Sequence, residues 1–248
     1  MKKINIIVTI VLVIAIVISV NYVLLSSSLV GKVKESQETN SSLLNNDSQS
    51  YFDPSIYQSF NDEFTSESNS SWYNVAGTWS ISAEGLHGGT ADNTTSPIDN
   101  ILISPVASRT LTNITTSFKI NNIDPTQPNS VSIVYSATDP INYRQAGINI
   151  YKDDIYVRFA DINNGSLTAP EAWPGVSTGM KFIPGSTLNM SLSIQNATQS
   201  LSLNGSEFPY NGNNTFVDGY VGLKYGKIKD IDFFNYRVEN RNDFDGNK

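Results

Sequence analysis

The chain has 248 residues, 16% of them charged, no cysteine and a formal net charge of −7. The missing cysteines exclude disulfides, thiolate metal sites, a Cys nucleophile and a lipid-bearing Cys anchor. Lys2 and Lys3 precede the first apolar run, so the remainder carries about −9 (−7 less those two charges). An acidic chain without a basic stripe lacks the footprint of a nucleic-acid binder and is repelled by anionic lipid.

Residues 4–25 form a nearly unbroken apolar run behind Lys2 and Lys3. As a helix it is long enough to cross a hydrocarbon core of ~30 Å. Two readings stand for residues 1–28: a transmembrane anchor, or a cleaved secretory signal with Ser26, Ser27 and Ser28 near the cleavage point. The run exceeds the ~7–15 apolar residues of a signal core, which favours the anchor. Lys2 and Lys3 favour a cytoplasmic N-terminus, and Lys32 and Lys34 weaken the contrast. Residues 29–50 are rich in Ser, Asn, Gln and charge, and read as a flexible stalk. The expected placement is a single-pass membrane protein with its C-terminal domain extracytoplasmic, or a secreted domain after cleavage.

From residue 51 to about 240 the pattern becomes short runs of period two between turn residues. Phe60 and Phe64 share one face, and Trp79 alternates with Ile81 ahead of a tight turn at Glu84-Gly85. Residues 100–106 are a short apolar run with Pro105 near its end. In residues 113–123, Ile114, Thr116, Phe118 and Ile120 alternate with polar residues. Residues 130–136 are β-branched. Residues 144–151 and 155–161 flank a hairpin turn at Lys152-Asp153-Asp154, and 187–194 and 200–203 flank a second turn. Asn204-Gly205 is a strong two-residue hairpin signal. Residues 219–225 and 229–238 close the domain, and 241–248 form a polar tail. The expected fold is all-β, an antiparallel sandwich or barrel of about a dozen strands. Residues 163–179 read as one long loop, of a length that is often functional.

Two stretches carry a family resemblance. Phe60, Asp62, Phe64, Trp72 and Gly77-Thr78-Trp79-Ser80-Ile81 lead to Gly85-Leu86, and Gly219-Tyr220-Val221-Gly222-Leu223 precedes Asp232-Phe233-Phe234-Asn235-Tyr236-Arg237-Val238. The pattern resembles the concanavalin A-like lectin/glucanase superfamily, in particular laminin-G-like modules and domains related to 3-keto-disaccharide hydrolases. The resemblance implies a jelly-roll β-sandwich. Its motifs are structural, because the glycines permit tight turns and the aromatics fill a core.

Retaining glucanases of that superfamily carry Glu-x-Asp-x-x-Glu on one strand, two carboxylates serving one sugar as nucleophile and acid/base. The sequence has no such motif. Asp230, Asp232 and Asn235 have the nearest spacing but lack the third carboxylate, and Glu63 and Glu67 lack the intervening Asp, so all read as solvent charges. His87 is the only histidine, with no Gly-x-Ser-x-Gly elbow to serve, and reads as exposed on a hairpin. Asp139, Asp153, Asp154 and Asp161 are the oxygen ligands that calcium would use, although turn-forming Asp explains each, and no other cofactor is expected.

Trp173 stands between Pro170 and Pro174 in the long loop. Held there it would stack on a sugar face, or alternatively fold back as a cap on the sandwich. Tyr143 and Arg144, at a strand start, are secondary candidates for the same role. Trp72 and Trp79 read as core. Asn-x-Ser/Thr sequons occur at Asn40, Asn46, Asn69, Asn93, Asn113, Asn164, Asn189, Asn196, Asn204 and Asn213. This is about twice what composition predicts and points to a glycosylated external domain, with an archaeal surface as the fitting context. Three functions remain: a lectin-like module binding glycan or another cell-surface ligand, a structural or adhesive envelope protein, and a sugar-active hydrolase.

Overall fold

The computed structural model describes residues 58–65, 72–89, 100–195, 198–210, 212 and 217–241. The apolar run, the stalk and the sequons at Asn40, Asn46, Asn69, Asn93, Asn196 and Asn213 lie outside the described residues. Contacts divide the chain into 1–50 and 51–248, and every described residue belongs to the second unit. No helix among the described residues is long and apolar enough to cross a membrane.

The described chain forms sixteen strands: β1 (Phe60–Asp62), β2 (Tyr73–Ala76), β3 (Trp79–Ser82), β4 (Gly85–Gly88), β5 (Asn100–Ser108), β6 (Leu111–Ile123), β7 (Asn129–Asp139), β8 (Asn142–Tyr151), β9 (Asp154–Asn163), β10 (Ser166–Thr168), β11 (Val176–Lys181), β12 (Thr187–Gln195), β13 (Thr198–Leu203), β14 (Ser206–Pro209), β15 (Gly219–Gly226) and β16 (Ile228–Asn240). They build two eight-stranded antiparallel sheets. Sheet A runs β14-β13-β12-β6-β16-β4-β3, with β1 also on β16. Sheet B runs β10-β9-β8-β7-β15-β5-β2, with β11 also on β9.

Alternation builds the core. Along β6 the inward residues Ile114, Phe118 and Ile120 are fully buried, while Asn113, Thr115, Ser117 and Lys119 alternate to the outside. Across from them stand Val131, Ile133, Ile148, Val157 and Phe159 of sheet B, in the same apolar cluster. Trp79 meets Tyr225 edge-on at 4.9 Å and Trp72 meets Tyr236 at 5.0 Å. Trp72 also donates its indole N–H to Asp62 Oδ2 at 2.7 Å, satisfying a buried carboxylate. Trp72 and Trp79 are partly buried and pack against the core, as the sequence indicated.

The two-residue turns have the chemistry expected of them. Lys152 and Asp153 have φ of 51° and 63°, and Asn204 and Gly205 have 48° and 84°, the paired positive values of a type I′ hairpin. Pro105 lies where the β5–β15 register shifts between Tyr220 and Gly222, a place where a ladder tolerates proline.

Residues 163–179 are not one loop. Asn164 and Gly165 have φ of 48° and 74° and fold β10 back on β9, and β11 rejoins β9 from Val176. The irregular segment shrinks to 169–175. Sheet B also differs from a one-sided sheet. Ile101, Ile103, Val134, Ala137, Tyr143 and Ile162, whose parity places them on its outward face, form a second buried apolar cluster.

Candidate functional site

Segment 169–175 links β10 to β11, both of which pair with β9. Gly175 approaches β9 with φ of 125°, where a Cβ would stand 2.4 Å from Val157 O, so only glycine fits. Asn149 Nδ2 donates to Pro174 O at 2.7 Å and pins the segment to β8. Just ahead of these ties projects Trp173, 47% exposed. Arg158 lies 5.2 Å from the indole centroid, and Tyr151 packs against it edge-on at 6.4 Å. Lys152 in turn lies 5.2 Å from the Tyr151 ring. The cationic and aromatic contacts hold the ring while much of it stays open to solvent.

Charge beneath the ring is unusual. Burial pushes the Arg158 guanidinium down from its ordinary value, and the charge of Glu171 opposes this. Burial pushes Glu171 up, against backbone hydrogen bonds and the Arg158 charge. Arg158 Nε and Glu171 Oε2 are buried without hydrogen-bond partners. Arg158 therefore acts on Trp173 chiefly as a flat cation beside the ring.

Tyr143 and Arg144 do not join this rim. They are consecutive on β8 and face opposite sides. Tyr143 is buried in the outward apolar cluster. Arg144 Nε pairs with Asp161 Oδ1 at 3.2 Å. Tyr151, which touches Trp173, is eight residues beyond Tyr143 on β8, about 26 Å at the rise of an extended strand. Lys224 and Gln145, from neighbouring strands of sheet B, are buried together, with Nζ donating to Oε1 at 2.7 Å.

The outer face of sheet A holds a group that reading along the chain missed. His87 is on β4 of the β3–β4 hairpin, and its Nδ1 lies 2.9 Å from Asp232 Oδ1 of β16. Asn121 Nδ2 donates to Asp232 Oδ2 at 2.7 Å and to Asp230 Oδ1 at 3.0 Å. Lys119 Nζ is 3.6 Å from Asp232. Asp232 is thus not a strand-end solvent charge but a buried carboxylate. Burial raises its pKa, but the hydrogen bonds from His87 and Asn121 and the charges of His87 and Lys119 outweigh this, so it is held below the ordinary range. Among the described residues, His87, Asp230 and Asp232 are the histidine and carboxylates that approach within 4.8 Å of one another. Lys119 already supplies a cation there.

The four aspartates considered for calcium do not gather. Asp139 accepts from Ile141 N and Asn142 Nδ2, Asp154 pairs with Lys181 at 2.7 Å, Asp161 pairs with Arg144, and Asp153 forms the turn. Further along sheet A, a cleft of about 840 Å³ lies between the β1 segment and the faces of β16, β6 and β12, lined by Phe60, Glu63, Ser117, Asn189, Asn235 and Arg237 among others. Cleft and Trp173 belong to different sheets and form two separate surfaces.

No family profile and no curated protein sequence matches the chain. Solved structures do. The carbohydrate-binding module CBM66 from Bacillus subtilis aligns with a TM-score of 0.55 at 17% identity, covering 68% of this chain and 96% of that one. The fold the two share is a two-sheet antiparallel β-sandwich. The apo Crh5 transglycosylase aligns at 0.54 with 10% identity, covering 75% and 86%. The GH43 BlXynB protein from Bacillus licheniformis aligns at 0.52 with 14% identity, covering 79% of this chain and 41% of that larger one. At these identities the likeness concerns the fold.

Proposed function

We propose that the chain is a non-catalytic glycan-binding module, held outside a membrane by its N-terminal apolar run, with Trp173 as its sugar platform. The observation that carries this reading is the open Trp173 ring, braced by Arg158 and Tyr151 on a segment tied to the sheet. A pyranose presents an apolar C–H face that such a ring removes from water. Tyr151, 38% exposed beside it, extends the platform toward Lys152. The β-sandwich fold, shared with a carbohydrate-binding module and with glycan-modifying enzymes, agrees with this reading. The non-catalytic part rests on the sequence, which lacks the paired-carboxylate strand of the retaining glucanases.

The test is binding of the detergent-solubilised full chain to a panel of polysaccharides including β-glucan, xylan, xyloglucan and chitin, with and without chelator. Saturable binding weakened in Trp173→Ala supports the module, and chelator sensitivity would bring calcium into it. Absence of binding across the panel favours the structural envelope role. Release of reducing sugar would make the chain a hydrolase. Membrane fractionation and the N-terminal sequence of the mature protein test the anchor, since a mature start near residue 29 means cleavage.

A further inference from the structure

The cleft on sheet A is walled by hydrogen-bonding side chains with Phe60 at its margin, and three sequons surround it. Asn189 lines it directly. Gly205, also in the lining, follows Asn204. Ser191, another lining residue, donates its Oγ to Asn113 Oδ1 at 3.0 Å. These asparagines differ in how their amides are placed. Asn113 is only half-exposed. Asn204 turns its Oδ1 back to accept from Asn189 N at 2.9 Å. Asn189 is exposed, and its Oδ1 accepts from Ser117 Oγ at 2.7 Å, which lays the amide across the sheet from β12 toward β6. Its Nδ2 donates to no described residue.

We propose that Asn189 carries an N-linked glycan whose first sugars lie in this cleft, so that sheet A seats the chain's own glycan. Modification takes the oligosaccharide from a lipid-phosphate-linked donor. Asn189 Nδ2 forms the bond to the anomeric carbon, the lipid phosphate leaves with the electrons of the broken bond, and Nδ2 loses one proton. The side chain's anchorage to Ser117 makes the sugar start over the sheet rather than upright in solvent. There Asn235, whose Oδ1 is engaged by Ser117 N at 3.0 Å, offers its Nδ2 to sugar oxygens. Arg237 and Glu63 supply a further donor and acceptor, and Phe60 a ring at the rim. The cleft volume of about 840 Å³ falls within the ~300–1,000 Å³ of typical small-molecule sites.

The inference rests on the extracytoplasmic placement proposed above, and Asn164 separates the two. Asn164 is an exposed sequon asparagine in the β9–β10 turn of sheet B, away from any groove on sheet A. The full chain is isolated from its native cells, site occupancy is mapped by peptide mass spectrometry, and release by a peptide N-glycosidase is timed on folded and denatured protein. Expected is occupancy at both sites, with release at Asn189 at least tenfold slower than at Asn164 in the folded protein and equal after denaturation. Asn235→Ala is expected to speed release at Asn189 and leave Asn164 unchanged. Ser191→Ala, which spares Asn189 but breaks the sequon, is expected to remove the glycan. Sugar on Asn164 with Asn189 bare overturns the inference alone. Equal release rates in the folded protein also overturn it. All sequons bare overturns the inference and counts against the extracytoplasmic placement as well.

Discussion

Replacing Trp173 by alanine removes the proposed platform while leaving the fold in place, and the size of the effect follows from exposure. A whole Trp side chain presents roughly 250 Å², so the 47% left open is about 120 Å². A sugar ring covering half of this removes about 60 Å² of indole and a similar area of its own C–H face from water, a gross gain of about 3 kcal/mol at ~25 cal/mol per Å². Desolvating neighbouring hydroxyls and ordering the ligand reduce this to about 1–2 kcal/mol. Trp173→Ala is therefore expected to weaken glycan binding by roughly 5–30-fold, and Trp173→Phe by less. Isothermal titration against whichever polysaccharide retains the wild-type chain measures this. The fold should lose little, because the ring is half outside and its cation–π contact with Arg158 is worth about 0.5–1 kcal/mol at an exposed site. A Trp173→Ala chain that binds its glycan with unchanged affinity and an unchanged melting curve would refute the platform.

Three further outcomes test the fold and its electrostatics. Gly85→Ala places a methyl 2.2 Å from Phe233 O at a φ of 129°, and urea denaturation should show a loss of at least about 2 kcal/mol. Trp72→Phe keeps most of the packing but strips a donor from the buried Asp62, and the same assay should show a cost of about 1–3 kcal/mol. Asp232 has a lowered folded pKa, so its stabilising contribution is complete above the ordinary carboxylate value of about 4 and is lost as pH falls through the folded value. Asp232→Asn should thus lower stability at neutral pH and flatten its decline between about pH 5 and pH 2, measured as melting temperature against pH.

Local features of this fold are legible in the sequence and long-range ones are not. Strand β6 reads directly from its alternation because one of its faces is water and the other core. Sheet B defeats the same reading, since Val134 on one side of β7 and Ile133 on the other both enter apolar clusters. Lys152-Asp153 and Asn204-Gly205 announce their hairpins through residues that tolerate positive φ. Asn164-Gly165 carries the same signal and was submerged in a long polar stretch. The His87–Asp232 contact joins residues 145 apart, and only the pairing of β4 with β16 reveals it. Asp232 looks like a solvent charge until Lys119, Asn121 and His87 close around it. Trp173 is legible as a residue held between prolines. That Arg158 and Tyr151 brace it depends on a return of the chain along β9 that no spacing encodes.

The two proposed surfaces lie on different sheets of the sandwich and act separately. Sheet A presents hydroxyl and amide side chains along β6 and β12, a face that tolerates a covalent glycan because nothing apolar there needs protein contact. Sheet B already buries much of its outward side, and along β9 it leaves Trp173 open, with Leu167 and Val176 exposed beside β9 as well. A glycan on Asn189 would keep sheet A from stacking against a neighbour while leaving Trp173, on the other sheet, clear to meet a ligand. Loss of that glycan in Ser191→Ala should therefore leave the Trp173-dependent affinity unchanged while altering self-association. A matched fall in both would mean that the surfaces are coupled through the core, which the separate placement of cleft and rim does not provide for.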